Sequence, residues 1–238
     1  MMLKTLVIIP AFNEAEAITG IVREVLAQPV RVAVLVVDDG SSDDTSVRAA
    51  AAGAMVVRLP FNLGIGGAVQ TGYRYALRHG YDIAVQVDGD GQHDPLFLAT
   101  LIRPVIDGEA DMSIGSRFLI KQDGFRSSAC RRVGIRFFSA LIRCLTRRTV
   151  TDPTSGFRAC GRRFIRVFAA YYPSDYPEPE AVMVVHRLGG GLAEVPVVMR
   201  ARRSGVSSIA FLKPFYYMLK VSGAILLHML KNRKVYEP

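Results

Sequence analysis

The sequence predicts an α/β domain, a mostly parallel sheet flanked by helices, and three observations carry that prediction. Residues 5–9 (TLVII) and 32–37 (VAVLVV) are short apolar runs without polar alternation, as strands covered on both faces require. Between them, residues 14–28 place Ile18, Ile21, Val22, Val25 and Leu26 at helical spacing, which makes a βαβ unit. The same alternation then continues down the chain, and runs of this kind specify a doubly wound sheet.

In order, a helix is expected over about 43–52, a strand at 54–58, a helix at 66–79 and a strand at 82–87. A helix at 95–107 and a strand at 110–114 (ADMSI) follow. Residues 121–150 change character: arginines interleave with apolar positions, a basic amphipathic stretch read as helical from about 130 to 146. Compact structure returns over 151–208, with a strand at 192–199. The stretch 209–230 is very apolar and is followed by KNRK. This divides the chain into an α/β domain, 1–208, and an apolar, basic helical tail, 209–238.

With 238 residues the chain can bury a full core. Thirty Lys and Arg against 21 Asp and Glu give a formal charge of +9. That balance suits nucleic acid, anionic lipid or phosphorylated small molecules, or simply a solubilising surface. Mean hydropathy is +0.23, slightly apolar for a soluble chain. Cys130, Cys144 and Cys160 have no metal-binding spacing, and their odd number fits a reducing compartment. The opening MMLKTLVIIPAFNE has too short an apolar run for an export signal and reads as a buried strand.

Open α/β sheets bind ligands beyond the carboxyl ends of their strands. Here those ends read PAFNE (10–14), DDGSSD (38–43) and DGDGQH (88–93), so acidic and polar groups collect on one rim. Asp43 or Asp44 is expected only to cap the following helix. Asp88 and Asp90 are different, because alternating carboxylates after a buried strand repel unless compensated. Mg²⁺ or Mn²⁺ takes hard oxygen ligands, often one or two carboxylates plus substrate phosphates. Gly89 and Gly91 permit the tight turn. Asn62-Leu-Gly64-Ile-Gly66-Gly67 opens a helix but lacks dinucleotide-binding spacing. It is compatible with phosphate at a helix N-terminus or with close helix–sheet packing. A nicotinamide-dependent oxidoreductase would explain the sheet but not the paired carboxylates. His93 is a candidate for brushing a diphosphate, and His186 for surface or core.

The sequence resembles the family 2 glycosyltransferases of GT-A (Rossmann-like) fold, within them the dolichol-phosphate mannosyltransferase-like branch. The resemblance is carried by VIIPAFNE (7–14), VVDDGSSDDT (36–45), NLGIGGAVQTGYRYA (62–76), VQVDGDGQHDP (85–95), IGSRF (114–118), DPTSGFRA (152–159) and EVPVVMRARRSGVSS (194–208), in family order over most of the chain. It implies that Pro10, Phe12, Glu14, Val37 and Asp39 form the base and ribose pocket, with Asp39 accepting from the base. Asp88, Asp90 and Gln92 match the metal- and diphosphate-binding residues, with Gly89 in the nucleotide site. Arg117, one of Arg131 or Arg132, and Arg202 match basic residues at the diphosphate or acceptor phosphate. Glu180 is a catalytic candidate beside the acceptor, although a Glu at a helix start is commonly only dipole-favourable. Asp152 is expected to hold the DPTSGFR turn.

The implied activity is inverting transfer of a sugar from a nucleoside-diphosphate sugar to a polyprenyl phosphate, with Mg²⁺ or Mn²⁺. Extension of a cell-surface polysaccharide or glycolipid on a sugar hydroxyl is the rival. The donor stays open among UDP-, GDP- and dTDP-linked sugars. Nucleic acid is not an expected partner, since residues 121–150 lack the aromatic motif of RNA-binding sheets. The tail is long enough to span a bilayer, but Lys213, Pro214 and Lys220 interrupt it. Helices lying in the membrane interface are therefore expected, on the cytoplasmic face, against the alternative of a helix packed on the domain. A small separate membrane protein is a further conceivable anchor.

Overall fold

The computed structural model describes residues 3–120, 129–174, 177–200 and 213–236, without the side chains of 129–131, 213–217 and 234. Strands β1 (Thr5–Ala11), β2 (Val32–Asp38), β3 (Met55–Arg58) and β4 (Ile83–Gln86) alternate with helices α1 (Ile18–Leu26), α2 (Thr45–Ala51) and α3 (Gly64–Arg78). A short 3₁₀ turn at Pro95–Phe97 leads into α4 (Leu98–Ile106), β5 (Met112–Ser116) and α5 (Ala129–Thr146). Then come β6 (Arg158–Gly161), α6 (Arg162–Ala170), α7 (Pro177–Arg187), β7 (Leu192–Pro196) and α8 (Lys213–Leu230).

The sheet has seven strands in the order β3-β2-β1-β4-β6-β5-β7. Only β6 runs against the others, pairing antiparallel with both β4 and β5. The unbroken apolar runs find both faces covered, as the sequence predicts. Leu6, Ile8, Leu35 and Val37 face one core with α3, α6, α7 and α8, while Val7, Ile9, Val34 and Val36 face the other with α1 and α4. Period two along each strand thus feeds two cores at once.

Two elements were absent from the expectation. β6 is four residues long and contains Arg158, only 1% exposed, so its sequence does not read as a buried strand. In α6 the signal was there: Arg162, Arg163 and Arg166 are exposed, while Phe164, Ile165, Val167 and Phe168 are buried. The expected helix over 14–28 is shorter because Asn13 takes the left-handed conformation (φ 55°) and Glu14 starts a turn.

The tail packs on the domain along α7 and α5, burying Val221, Ile225 and His228. Its other face leaves Leu219, Leu226, Leu227 and Leu230 exposed. Among the described residues, no helix is long and apolar enough to cross a membrane.

Candidate active site

The carboxyl ends of β1, β2 and β4 meet at a cleft of about 570 Å³. Two loops form its first wall and are tied to each other. The Asn13 amide donates to Ser41 Oγ (2.9 Å), the Glu14 amide to Thr45 Oγ1 (3.0 Å), and the Ser42 amide to Asn13 Oδ1 (2.9 Å). Gly40, at φ 77°, lets the second loop pass under the Phe61 backbone, which a Cβ would meet at 3.0 Å. Pro10, Phe12, Glu14 and Asp39 line this wall. Phe12 is 47% exposed, an aromatic face open to a ligand. Val37 does not reach the cleft; it is fully buried in the core, because its position in β2 points it there.

Asp39 is buried and accepts from the amides of Leu63 (2.7 Å) and Gly64 (2.9 Å) at the start of α3. Burial pushes its carboxyl up from the ordinary range, those two amides pull it back, and the neighbouring Asp38 charge adds to the rise. A carboxylate thus takes amides that could have faced a phosphate. The glycines behind them serve close packing: a Cβ on Gly66 would meet Pro173 O at 2.2 Å, and one on Gly72 would meet Ile8 at 2.3 Å. Within the NLGIGG segment, Gly66 packs against the 173–174 backbone, while Asn62, Gly64 and Ile65 line the cleft.

The Asp88-Gly89-Asp90 turn forms the cleft floor. A Cβ on Gly89 would lie 2.9 Å from Pro10 O, so glycine lets the turn hug the end of β1. Asp90 Oδ1 accepts from the Gln92 amide (2.9 Å), and Asp88 Oδ1 from Gln86 Nε2 (3.2 Å). Gln86 is itself held by the Tyr172 hydroxyl at 3.3 Å. Gln92 does not line the cleft; its carbonyl accepts from the Arg200 amide. His93 is buried, stacks on Phe157 at 5.1 Å, and accepts the Asp88 amide at Nδ1 (3.0 Å). It supports the turn from beneath and is not placed to touch a diphosphate. Asp43 does stay at the helix start: it accepts from the Thr45 amide at 3.0 Å.

The opposite wall is organised by residues the sequence reading missed or misassigned. Arg158 donates to three carbonyls, Ser155 (2.6 Å), Pro153 (2.7 Å) and Glu178 (2.6 Å). It thereby fixes the 153–155 turn to the start of α7. Gly156 follows that turn, and a Cβ there would lie 2.8 Å from both Asp88 carboxylate oxygens. Glu178, not Glu180, lines the cleft. Glu180 points the other way and meets His228 Nε2 at 2.9 Å, while His228 Nδ1 meets the Tyr236 hydroxyl at 2.7 Å. Two residues, about half a helical turn, separate the two orientations, and which of the two faces the cleft is not resolved by spacing in sequence alone. Arg117 is also not at the cleft. It forms a bidentate pair with the fully buried Asp152, both bonds 2.6 Å, so Asp152 does hold its turn, with Arg117 as partner. The side chain of Arg131 and all of Arg202 lie outside the described residues.

The cleft therefore collects Glu14, Asp39, Asp88, Asp90 and Glu178, and among the described residues no Lys or Arg lines it. An acidic cleft of this kind binds a polyanion only with added cations. Asp88 and Asp90 offer hard oxygen donors that fit Mg²⁺ or Mn²⁺ sharing its shell with phosphate and water. Among the described residues there is no group of three or more His, Cys, Asp or Glu placed to hold a metal ion.

A family model for glycosyl transferase family 2 matches residues 6–171. The chain belongs to that family. It is a glycosyltransferase of the dolichol- and polyprenyl-phosphate branch, which removes the oxidoreductase reading. The polyprenol monophosphomannose synthase of Mycolicibacterium smegmatis is 31% identical over 87% of this chain and 81% of its own length. The undecaprenyl-phosphate mannosyltransferase of Micrococcus luteus is 31% identical over 87% of this chain and 88% of its own. Among solved structures, glucosyl-3-phosphoglycerate synthase from Mycobacterium tuberculosis with Mn²⁺, UDP-glucose and phosphoglyceric acid superimposes with a TM-score of 0.71. It shares 25% identity with this glycosyltransferase, covering 94% of this chain and 79% of that one. The GT-A fold expected from the motifs is thus the observed fold.

Proposed function

We propose that this glycosyltransferase moves a sugar from a nucleoside diphosphate to a polyprenyl phosphate, with inversion. The observation that carries the reading is the Asp88-Gly89-Asp90 turn opening between Phe12 and Asp39 on one side and Glu178 on the other. The names of the M. smegmatis and M. luteus relatives support the acceptor class. Phe12 and Pro10 face the base, Asp39 accepts from it, and Glu14 lies along the ribose. A divalent metal held by Asp88 and Asp90 would neutralise charge gathering on the leaving diphosphate. The arginines expected at the phosphates are Arg131 or Arg132, and Arg202. An acceptor phosphate oxygen forms the new bond to the anomeric carbon. The bond to the nucleoside diphosphate breaks with its electron pair going to the diphosphate. Since the acceptor oxygen is already anionic, no general base is required.

Glu178 sustains a second reading, because a sugar-hydroxyl acceptor needs a carboxylate to take its proton and Glu178 faces the cleft. Transfer from labelled nucleotide sugars to polyprenyl phosphate or to saccharides, with and without chelator, separates the two. Label appearing only on saccharide overturns the lipid-phosphate reading, and full activity in chelator overturns the metal.

A polyprenyl tail stays in the bilayer, so the cleft must come to the membrane, on its cytoplasmic face. The exposed Leu219, Leu226, Leu227 and Leu230 of α8, with Val133 and Phe137 of α5, supply apolar area for that contact. Each such side chain buried contributes about 1.5–3 kcal/mol, and each nearby basic residue about 1 kcal/mol on an anionic surface. Replacing Leu226, Leu227 and Leu230 by Ser should release the protein from anionic liposomes. Transfer to long-chain acceptors should fall more than transfer to short soluble ones. Undiminished liposome binding by that variant sinks the docking face.

A further inference from the structure

A second cavity, of about 450 Å³, lies between α6, the end of α7 and the 3₁₀ turn Arg233–Val235 that follows α8. Arg162, Arg163 and Arg166 project into it from the exposed stripe of α6, and Arg233 faces them from the last turn. Two of the four are matched by carboxylates: Arg162 lies 3.8 Å from Asp82 and Arg163 3.4 Å from Asp111. Those aspartates immediately precede β4 and β5, so the cavity sits toward the amino ends of the strands, away from the catalytic cleft. Arg166 and Arg233 have no carboxylate partner among the described residues. Among the described residues, no hydrogen bond or ion pair takes up their guanidinium donors.

The surroundings deepen the excess of positive charge. His186 is held below the ordinary histidine range first by burial and then by Arg148, Arg187 and Arg233. His186 Nδ1 and Arg187 Nε are buried without a hydrogen-bond partner among the described residues. Val167, Leu188 and the Tyr236 ring complete the wall with apolar surface. The guanidinium fork matches phosphate oxygens two at a time, and several forks around a concave wall select a phosphate over a spherical halide.

We propose that this cavity is a second anion site, separate from the nucleotide cleft, that takes a phosphate monoester. Such a group reaches it from solution as free phosphate or from a membrane as a lipid headgroup, and the experiment distinguishes the two. Inorganic phosphate is titrated calorimetrically into the full chain at fixed ionic strength. Vesicles of phosphatidylcholine with and without phosphatidic acid are tested by co-sedimentation. The doubly substituted R166Q/R233Q chain is compared with the unsubstituted one, and Asp90→Ala controls for anion binding at the catalytic cleft. Both arginines are exposed, so the double variant should keep its melting temperature; if it does not, Arg166→Gln alone is used.

The site predicts at least about a tenfold loss of phosphate affinity in R166Q/R233Q, with none in Asp90→Ala. Loss confined to the phosphatidic acid vesicles assigns the site to a lipid headgroup instead. If neither probe binds more weakly to the double variant, or if Asp90→Ala alone removes binding, there is no second site.

Discussion

The two walls of the catalytic cleft are built by different means. One wall, which we assign to the nucleotide, is made of loops that follow β1 and β2 and grip each other through short side chains, Asn13, Ser41 and Thr45, at separations of about thirty residues. The opposite wall, which we assign to the acceptor, depends chiefly on the buried Arg158. Arg158 gathers carbonyls from the 153–155 turn and from α7, and a second arginine, Arg117, paired with the Asp152 carboxylate, ties the same turn back to β5. A wall held by many weak local bonds tolerates the loss of one. A wall held by two multidentate arginines is more sensitive to the loss of either.

The largest effect tests what the walls share. Asp90→Ala should lower transfer by about 10²–10³ or more and remove the metal-dependent part of nucleotide affinity. Its melting temperature should stay near that of the parent. Near-normal transfer in this variant would remove the floor from the comparison.

Arg158→Met should come next and strike the acceptor wall. It leaves three carbonyls without their donor, a loss of about 3 kcal/mol or more in denaturant unfolding. Arg158→Lys should recover only part, since an ammonium cannot reproduce the planar fork. In the Lys variant KM for the acceptor should rise more than KM for the nucleotide sugar. Equal rises would mean that Arg158 serves both walls.

Glu178 and Glu180 sharpen the same contrast. With a lipid-phosphate acceptor, Glu178→Gln should retain turnover within about tenfold, whereas a hydroxyl acceptor would bring a loss of about 10²-fold or more. Glu180→Gln should act on stability instead, costing about 1–2 kcal/mol through its bond to His228, and leave turnover nearly unchanged. A turnover defect in Glu180→Gln without loss of stability would reverse the two assignments.

The smallest effect is a pH dependence on the nucleotide wall. Burial raises the Asp39 carboxyl, so it takes up a proton at less acidic pH than an ordinary aspartate. Only the ionised form accepts from a base while holding both α3 amides. Affinity for the nucleoside should therefore fall as pH drops through that raised range, and Asp39→Asn should bind more weakly at all pH with a flatter profile. A pH profile identical in both proteins would show that Asp39 does not read the base.

This division also explains what was legible in the sequence. Their position directly after apolar strands puts Pro10, Phe12, Asp39, Asp88 and Asp90 on the rim that lines the cleft, while their roles toward base, ribose and metal come from the family resemblance. On the acceptor wall, what matters is long-range. Arg158 looks like a motif arginine and is a buried strut, and only the fold brings the Glu178 carbonyl to it. Arg117 and Glu180 were assigned to chemistry but satisfy partners 35 and 48 residues away. Charge in a motif marks a constrained position without saying whether the constraint is a ligand or a neighbour.

The reversed strand β6 has a consequence for how the chain is made. It fills the gap between β4 and β5, yet it emerges roughly seventy residues after β4, about 4–14 s later at ordinary rates of synthesis. Through that interval the outer edge of β4, in what becomes the middle of the sheet, has no strand beside it. An unpaired apolar edge is a template for unwanted association. The nascent protein is therefore most exposed to aggregation at its future centre, until the segment that completes the acceptor wall also closes the sheet.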